Sequence, residues 1–360
     1  MIPPGTSFFL CGVGTRRKLI FCGDALFDAR TGQRLRSWPG ATLGINAGEW
    51  SVELRRGDDP VACAWEDANG VHLEENGDVR QLTTDAPETF APRFHRFDEH
   101  PHADKLRALW HEIAVNIVDG VPLPNLWVYD RAWHRDAAMM ALVLEQSGDL
   151  PLLESWLASV RDPFDRNNKG HREPDNLGQM LVLLALLEQP AHPLRDGILA
   201  LLPEFTRSGH LVGLTDYAEH PVYATKWLKW GLQKLGLDDG FLIPRAPDSY
   251  SSLFWMGYKN EHEPHPRFDA QTGALYPYLN WAEAHFYGDA PPPFIGQGAP
   301  GSWETRASEA HYERLSPLLP SLEQAQCAAP HTWHGAEMFL YFFDAPAGAP
   351  ETGLPEADAG

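Results

Sequence analysis

Three times along this chain, a cluster of acidic, aromatic and histidine residues stands directly in front of an apolar, helix-like run. Trp127–Asp136 (WVYDRAWHRD) precedes AAMMALVL, His171–Asn176 (HREPDN) precedes LGQMLVLLALL, and His331–His334 (HTWH) precedes GAEMFLYFF. Runs that are apolar on nearly every side belong to buried helices, so each cluster is expected at the start of a helix enclosed by the core. Polar groups repeated at the same end of such helices point to one pocket at one rim of a helical assembly. The loops Thr215–His220 (TDYAEH) and Glu261–Asp269 (EHEPHPRFD) are loaded in the same way.

A chain of 360 residues has room for one large domain, or a large one with a small companion. No stretch approaches the ~18 apolar residues of a membrane span, and the start, MIPPGTSFFLCGVGTRRKLIF, lacks the pattern of a secretory signal. The four cysteines, Cys11, Cys22, Cys63 and Cys327, form no CxxC pair. Reduced, buried thiols in a cytoplasmic protein are therefore expected. A net charge of -20 repels nucleic acid and anionic membrane, so neither is expected as a partner. Nine of the thirteen tryptophans fall between Trp127 and Trp333, several within the polar clusters. Indole faces stack on the C–H faces of sugars and leave the hydroxyls to polar neighbours, although any one of them serves equally as core filler.

Residues 1–95 read as a β-rich subdomain, with short apolar runs such as Ser7–Leu10, Lys18–Cys22 and Val61–Trp65 separated by turn signals. From about residue 104 the pattern becomes helical, over 104–119, 134–147, 150–161, 175–189, 193–205, 220–236, 248–259, 272–287, 305–318 and 331–343. Amphipathic segments alternate with all-apolar ones, as outer helices alternate with inner ones. The expected fold is mainly α: an (α/α) toroid of about five to six hairpins over 96–344, with the small N-terminal β subdomain and a disordered Pro/Gly-rich tail at 345–360. Inner helices of a toroid share one direction, so their N-termini gather at one mouth, where their dipoles favour carboxylates and anions.

Trp133-His-Arg-Asp136 opening an inner helix, Glu173-Pro-Asp-Asn-Leu-Gly-Gln179, and the late Glu337 within WHGAE resemble the six-hairpin glycosidase superfamily, the group of glucoamylases and trehalases. The resemblance covers about 104–343. It implies a glycoside hydrolase, most often inverting, on an oligosaccharide or polysaccharide substrate. One carboxylic acid would protonate the leaving oxygen while a carboxylate activates water on the opposite face.

On that reading Arg135 and Asp136 hold the terminal sugar, Glu173 or Asp175 is the general acid, and Glu337 is the base. Tyr129, Trp133, His134, Asn176, Gln179, His220, Tyr223, Lys226, Trp333 and His334 shape the substrate site. Each has a plainer role beside it. Asp136 and Asp175 suit helix N-caps, Arg172 could pair with Glu173, and Glu337 could be a hydrogen-bonded structural residue. Asp216 and Glu219 have the spacing of a capping box, which favours a structural role for Asp216. Glu304 and Glu309 are weaker base candidates.

No cofactor and no metal is expected. His262-Glu-Pro-His265 has the wrong spacing for a zinc site on a helix, and His331 and His334 lack a third ligand. No GxSxG, P-loop or GxGxxG occurs. Two other functions stay open: a sugar epimerase or polysaccharide lyase that abstracts a proton through His or Tyr, and a non-catalytic glycan-binding protein. Sugar identity and oligomeric state are not legible.

Overall fold

The computed structural model describes residues 8–246, except 88, 128, 167–169 and 217, together with residues 332–344. The helices expected at 248–259, 272–287 and 305–318, the His262–His265 loop, Glu304, Glu309, His331, Cys327 and the tail from 345 lie outside the described residues, as does the His334 side chain.

The chain opens with two antiparallel meanders. Strands β1 (Phe8–Cys11), β2 (Leu19–Cys22), β3 (Ala25–Asp28) and β4 (Arg34–Ser37) form a four-stranded sheet in sequence order. Strands β5 (Thr42–Asn46), β6 (Ser51–Arg56), β7 (Asp59–Asp67), β8 (Gly70–Glu75) and β9 (Asp78–Thr83) form a five-stranded one. FFLC, LIFC and ALFD are buried on both faces, so the first sheet is covered on both sides. The second alternates buried and half-buried positions along β6 and β7, the pattern of a sheet with one face to the core. The edge strand β4 (RLRS) is exposed and charged, which blunts pairing with another chain. Asn76 and Gly77 join β8 to β9 with φ of 53° and 82°, the two left-handed residues that a tight hairpin requires.

Helices follow: α1 (Ala103–Val115), α2 (His134–Ser147), α3 (Glu154–Ser159), α4 (Asp175–Leu186), α5 (Pro193–Phe205), α6 (Pro221–Lys234) and α7 (Thr332–Asp344). They pack in the order α1, α7, α2, α4, α6. Short hairpins interrupt them: β10 (Ile117–Val118) with β11 (Val121–Pro122), β12 (Thr206–Arg207) with β13 (His210–Leu211), and β14 (Leu214–Thr215) with β15 (Ala218–Glu219).

The expected mainly-α toroid is thus wrong. Among the described residues there are five antiparallel sheets, and the β region shares one continuous hydrophobic core with the helices. The misjudgement has a physical source. An all-apolar run shows that a helix is buried but not by what, and here strands supply much of the cover. Phe8 meets Trp127 edge-on at 6.0 Å, Phe9 stacks on His111 at 5.2 Å, and the Trp127 indole N–H donates to the Ala29 carbonyl at 2.8 Å.

A buried ionic cluster also ties sheet to helix. Glu66 of β7 accepts from the Gly12 and Val13 amides at 2.9 and 2.8 Å, pairs with Arg16 at 3.1 Å, and lies 2.8 Å from the His111 Nε2 of α1. Burial works against its charge. The His111, Arg16 and Gly12 interactions outweigh burial and hold the carboxyl at about 2, against an ordinary 4.5. A carboxylate depressed in the folded state stabilises above its unfolded value and loses that stabilisation as the pH falls through its folded one. The wild type should therefore lose about 3 kcal/mol through Glu66 between pH 5 and pH 2. A Glu66→Gln variant, less stable at neutral pH, should lack this component in urea titrations across that range.

The tightest helix contact is between α4 and α6, and two glycines permit it. A Cβ on Gly178 would run into the Leu228 amide nitrogen and the Trp227 carbonyl carbon. One on Gly231 would stand 2.6 Å from the Leu181 Cβ and 2.9 Å from the Gly178 oxygen. Backbone is the obstacle at Gly178, so the helices would have to separate. Gly178→Ala is expected to cost about 3 kcal/mol, at the upper end for overpacking, read as a lowered thermal midpoint. A gain from the better helix propensity of Ala would contradict this.

No helix among the described residues is long and apolar enough to cross a membrane. Cys11, Cys22 and Cys63 form no disulfide among the described residues.

Candidate functional site

The first turns of α2, α4, α6 and α7 meet, and the Arg135 guanidinium connects them. Arg135 Nε donates to Asp175 Oδ2 at 3.3 Å, one terminal nitrogen to Glu173 Oε2 at 3.3 Å, and the other to Asp216 Oδ2 at 2.8 Å. Its Cζ lies 5.8 Å from the centre of the Trp333 ring. The Glu173 and Asp175 side chains are 2% and 0% exposed and Asp216 is 26% exposed, so the cluster reaches solvent on the side of the β14–β15 hairpin.

Each carboxylate has a distinct environment. Glu173 spends both oxygens: Oε2 on Arg135, and Oε1 on the Asp216 amide at 2.5 Å. Asp175 accepts from Thr215 Oγ1 at 2.9 Å and Gln179 Nε2 at 2.8 Å. Burial raises its pKa, and the like charges of Asp165 and Asp216 add to this against the pull of Arg135 and Thr215. Glu337 is different again. It is fully buried on α7, and neither of its oxygens has a hydrogen-bond partner among the described residues. Burial lifts its pKa well above the ordinary carboxylate range; the Trp333 indole, one turn earlier, opposes this weakly and does not reach hydrogen-bond geometry. Such a setting favours the neutral form of a carboxyl group over the charged one.

Asp136 does not cap its own helix. Its Oδ1 accepts from Thr332 Oγ1 and from the Trp333 amide, both at 3.2 Å, so it secures the first turn of α7. Successive helical residues point about 100° apart, which is how Arg135 serves α4 and its neighbour Asp136 serves α7. Gln179 extends the network to Tyr223 of α6 at 3.4 Å, and the Tyr223 ring lies 6.0 Å from Trp333. Lys226 is fully buried one turn further along α6.

Asn176 donates to Asp165 Oδ2 at 3.3 Å and to Gln179 Oε1 at 3.1 Å. His220, half-buried ahead of α6, has its pKa lowered by burial and by Arg135, with Asp216 opposing. The cluster thus includes Arg135, Glu173, Asp175, Gln179, His220, Tyr223 and Trp333, all named from sequence.

Other expected site residues have different contacts among the described residues. His134 donates its amide to Asp165 at 2.8 Å, sets Nδ1 3.0 Å from the Pro163 carbonyl, and meets Trp156 at 6.2 Å. Tyr129 and Trp133 pack edge-on against each other at 5.1 Å. Arg172 pairs with the exposed Glu204 rather than Glu173. The capping box expected at Asp216 and Glu219 does not form: Asp216 sits in a hairpin with φ of 56°, and α6 starts only at Pro221.

Asp165, Thr215 and Thr332 were missed. Thr215 and Thr332 each sit within a polar cluster already singled out, and contact with a neighbouring loop is what selects them. Among the described residues, no group of three or more His, Cys, Asp or Glu is placed to hold a metal ion. No protein-family model, curated protein or solved structure matches this chain.

Proposed function

We propose that this chain is a carbohydrate-active enzyme that hydrolyses glycosidic bonds with inversion, using Glu337 as the general acid and Glu173 as the general base. The observation that carries this reading is a pair of buried carboxyl groups in opposite environments: Glu337 has no hydrogen-bond partner among the described residues, while Glu173 is held by a guanidinium and an amide. Glu337 stands one turn from Trp333, whose ring faces Arg135, and Arg135 holds Glu173. Paired carboxyl groups in opposite protonation states are what glycoside hydrolysis requires. The roles are the reverse of those expected from sequence. Burial lifts the Glu337 pKa and so suits it to donate a proton, while a guanidinium and an amide on the two Glu173 oxygens favour the charged form of that group. With both oxygens held, Glu173 is better suited to orient water than to bond to the sugar, which favours inversion. Trp333 offers a flat face for a sugar ring, and Gln179 and Tyr223 supply groups that bond hydroxyls.

The test is release of reducing ends from a panel of α- and β-linked oligosaccharides. Cleavage of at least one member is expected. Absence of cleavage across the panel would count against the proposal. A second reading, a sugar epimerase or lyase, draws on His220, whose lowered pKa leaves a neutral imidazole available as a base beside Arg135. It would appear as a changed sugar composition, or an unsaturated product, without hydrolytic release.

A further inference from the structure

We propose that Asp216 is the positioning residue that aims Glu173, and that it does so through its left-handed backbone. This rests on the reading of Glu173 as the general base. Three successive contacts set the loop 213–216 against the segment 173–175. A Cβ on Gly213 would lie 3.3 Å from Pro174 Cγ, Thr215 Oγ1 donates to Asp175 Oδ1 at 2.9 Å, and the Asp216 amide donates to Glu173 Oε1 at 2.5 Å.

The last contact depends on residue 216 holding φ at 56°, a region that non-glycine residues seldom occupy. Asp tolerates it better than most, and a strained φ at a polar cluster is a recurrent mark of function. The Asp216 side chain is not idle: it accepts from Arg135 at 2.8 Å, which fixes the cation that holds the other Glu173 oxygen. One residue therefore governs the two Glu173 hydrogen bonds to Arg135 and to residue 216, one through its carboxylate and one through its amide.

Two substitutions separate these contributions. Asp216→Gly keeps the amide and accepts the φ readily, but loses the bond to Arg135. Asp216→Val loses that bond as well, and its branched Cβ disfavours the left-handed region, so the amide turns away. On a cleavable glycan, Asp216→Val should lower kcat about 100-fold, the scale of a misplaced reacting group, with KM within about threefold. The acid limb of its pH profile should move to higher pH, because Glu173 has lost a donor that favours its charge. Asp216→Gly should keep kcat within about tenfold, without that upward movement. Equal losses in the two variants, or acid limbs at the same pH, would overturn the proposal.

A second arm needs no turnover. The gap between the two variants in urea midpoint should be smallest at acid pH, where Glu173 is protonated, and widen toward neutral pH, since a Glu173 without its amide donor is penalised only when ionised. A gap that does not vary with pH would mean backbone strain alone, and the positioning role would fall. If no glycan is cleaved yet the gap widens, the hydrolase reading fails and the positioning role stands. Asp216→Ala, with a smaller backbone penalty, replaces the valine variant if that one does not fold.

Discussion

Glu337→Gln is expected to lower turnover of unactivated glycosides by about 10³-fold while leaving much of the rate on aryl glycosides with good leaving groups. General acid catalysis contributes of the order of 10²–10⁴-fold, and an amide cannot supply the proton. A leaving group that departs as a stable phenolate has little need of one, so the loss should shrink with leaving-group pKa. Glu173→Gln should behave differently: water must still be activated whatever the leaving group, so both substrate types should lose rate alike. The amide introduced by Glu337→Gln is nearly isosteric with the acid it replaces and, being neutral, escapes the burial cost that raises the Glu337 pKa. The fold should therefore survive with its unfolding midpoint little changed. If Glu337→Gln unfolds the protein, or slows both substrate types equally, Glu337 is structural or has another role.

Arg135→Met should be the most damaging substitution for stability. The guanidinium is the shared partner of Glu173, Asp175 and Asp216, two of them nearly excluded from water. Removing one partner of a buried pair costs about 3–5 kcal/mol because the remaining charge is left unpaired, and here three depend on the same cation. The sign of the pH dependence identifies the cause. Even with Arg135 in place, burial raises the pKa of Asp175; without the cation its pKa rises further, and the Glu173 carboxyl loses a stabilising charge as well. A carboxyl whose folded pKa lies above its unfolded value binds more protons when folded, so stability falls as the pH rises through that interval. Arg135→Met should therefore be closer to wild type at pH 5 than at pH 8 in urea midpoints. A pH-independent deficit would point to lost packing against Trp333 instead. Arg135→Lys should not restore the site, since one ammonium cannot reproduce three divergent contacts.

Some of this was legible before the structure, for physical reasons. The helix at 134–147 matches because an all-apolar run behind a polar cluster leaves few alternatives, and that at 193–205 because Leu194, Ile198 and Leu202 recur at helical spacing and are the residues it buries. The clusters at Arg135, Glu173 and Trp333 do meet. Nothing local could tell Glu173 from Asp175, because their difference lies in residues 40 or more positions away: Asp216 in one case, Thr215 in the other. Asp136 reads as a cap of its own helix because its true partners, Thr332 and Trp333, lie almost 200 residues on.

The sequence misleads on fold class because 1–95 reads as an appendage although its strands share the helices' core, and because short hairpins lie between the helices. Two of those hairpins were signalled. Asp119-Gly120, with φ of 52° and 79°, and Ser208-Gly209, with φ of 53° and 83°, are each a two-residue turn of the kind that joins short strands. Two-residue strands leave no periodicity to detect, so only the turn itself carried the information.

The most direct measurement is ¹H NMR of the anomeric protons during cleavage of the best substrate in the panel, recorded before mutarotation erases the product's configuration. A first-formed sugar with the anomeric configuration opposite to the substrate's is the predicted result, since water directed by Glu173 attacks the face opposite the leaving group protonated by Glu337. A product of retained configuration would contradict the assigned pair, and sugars that remain uncleaved while changing composition would contradict hydrolysis itself.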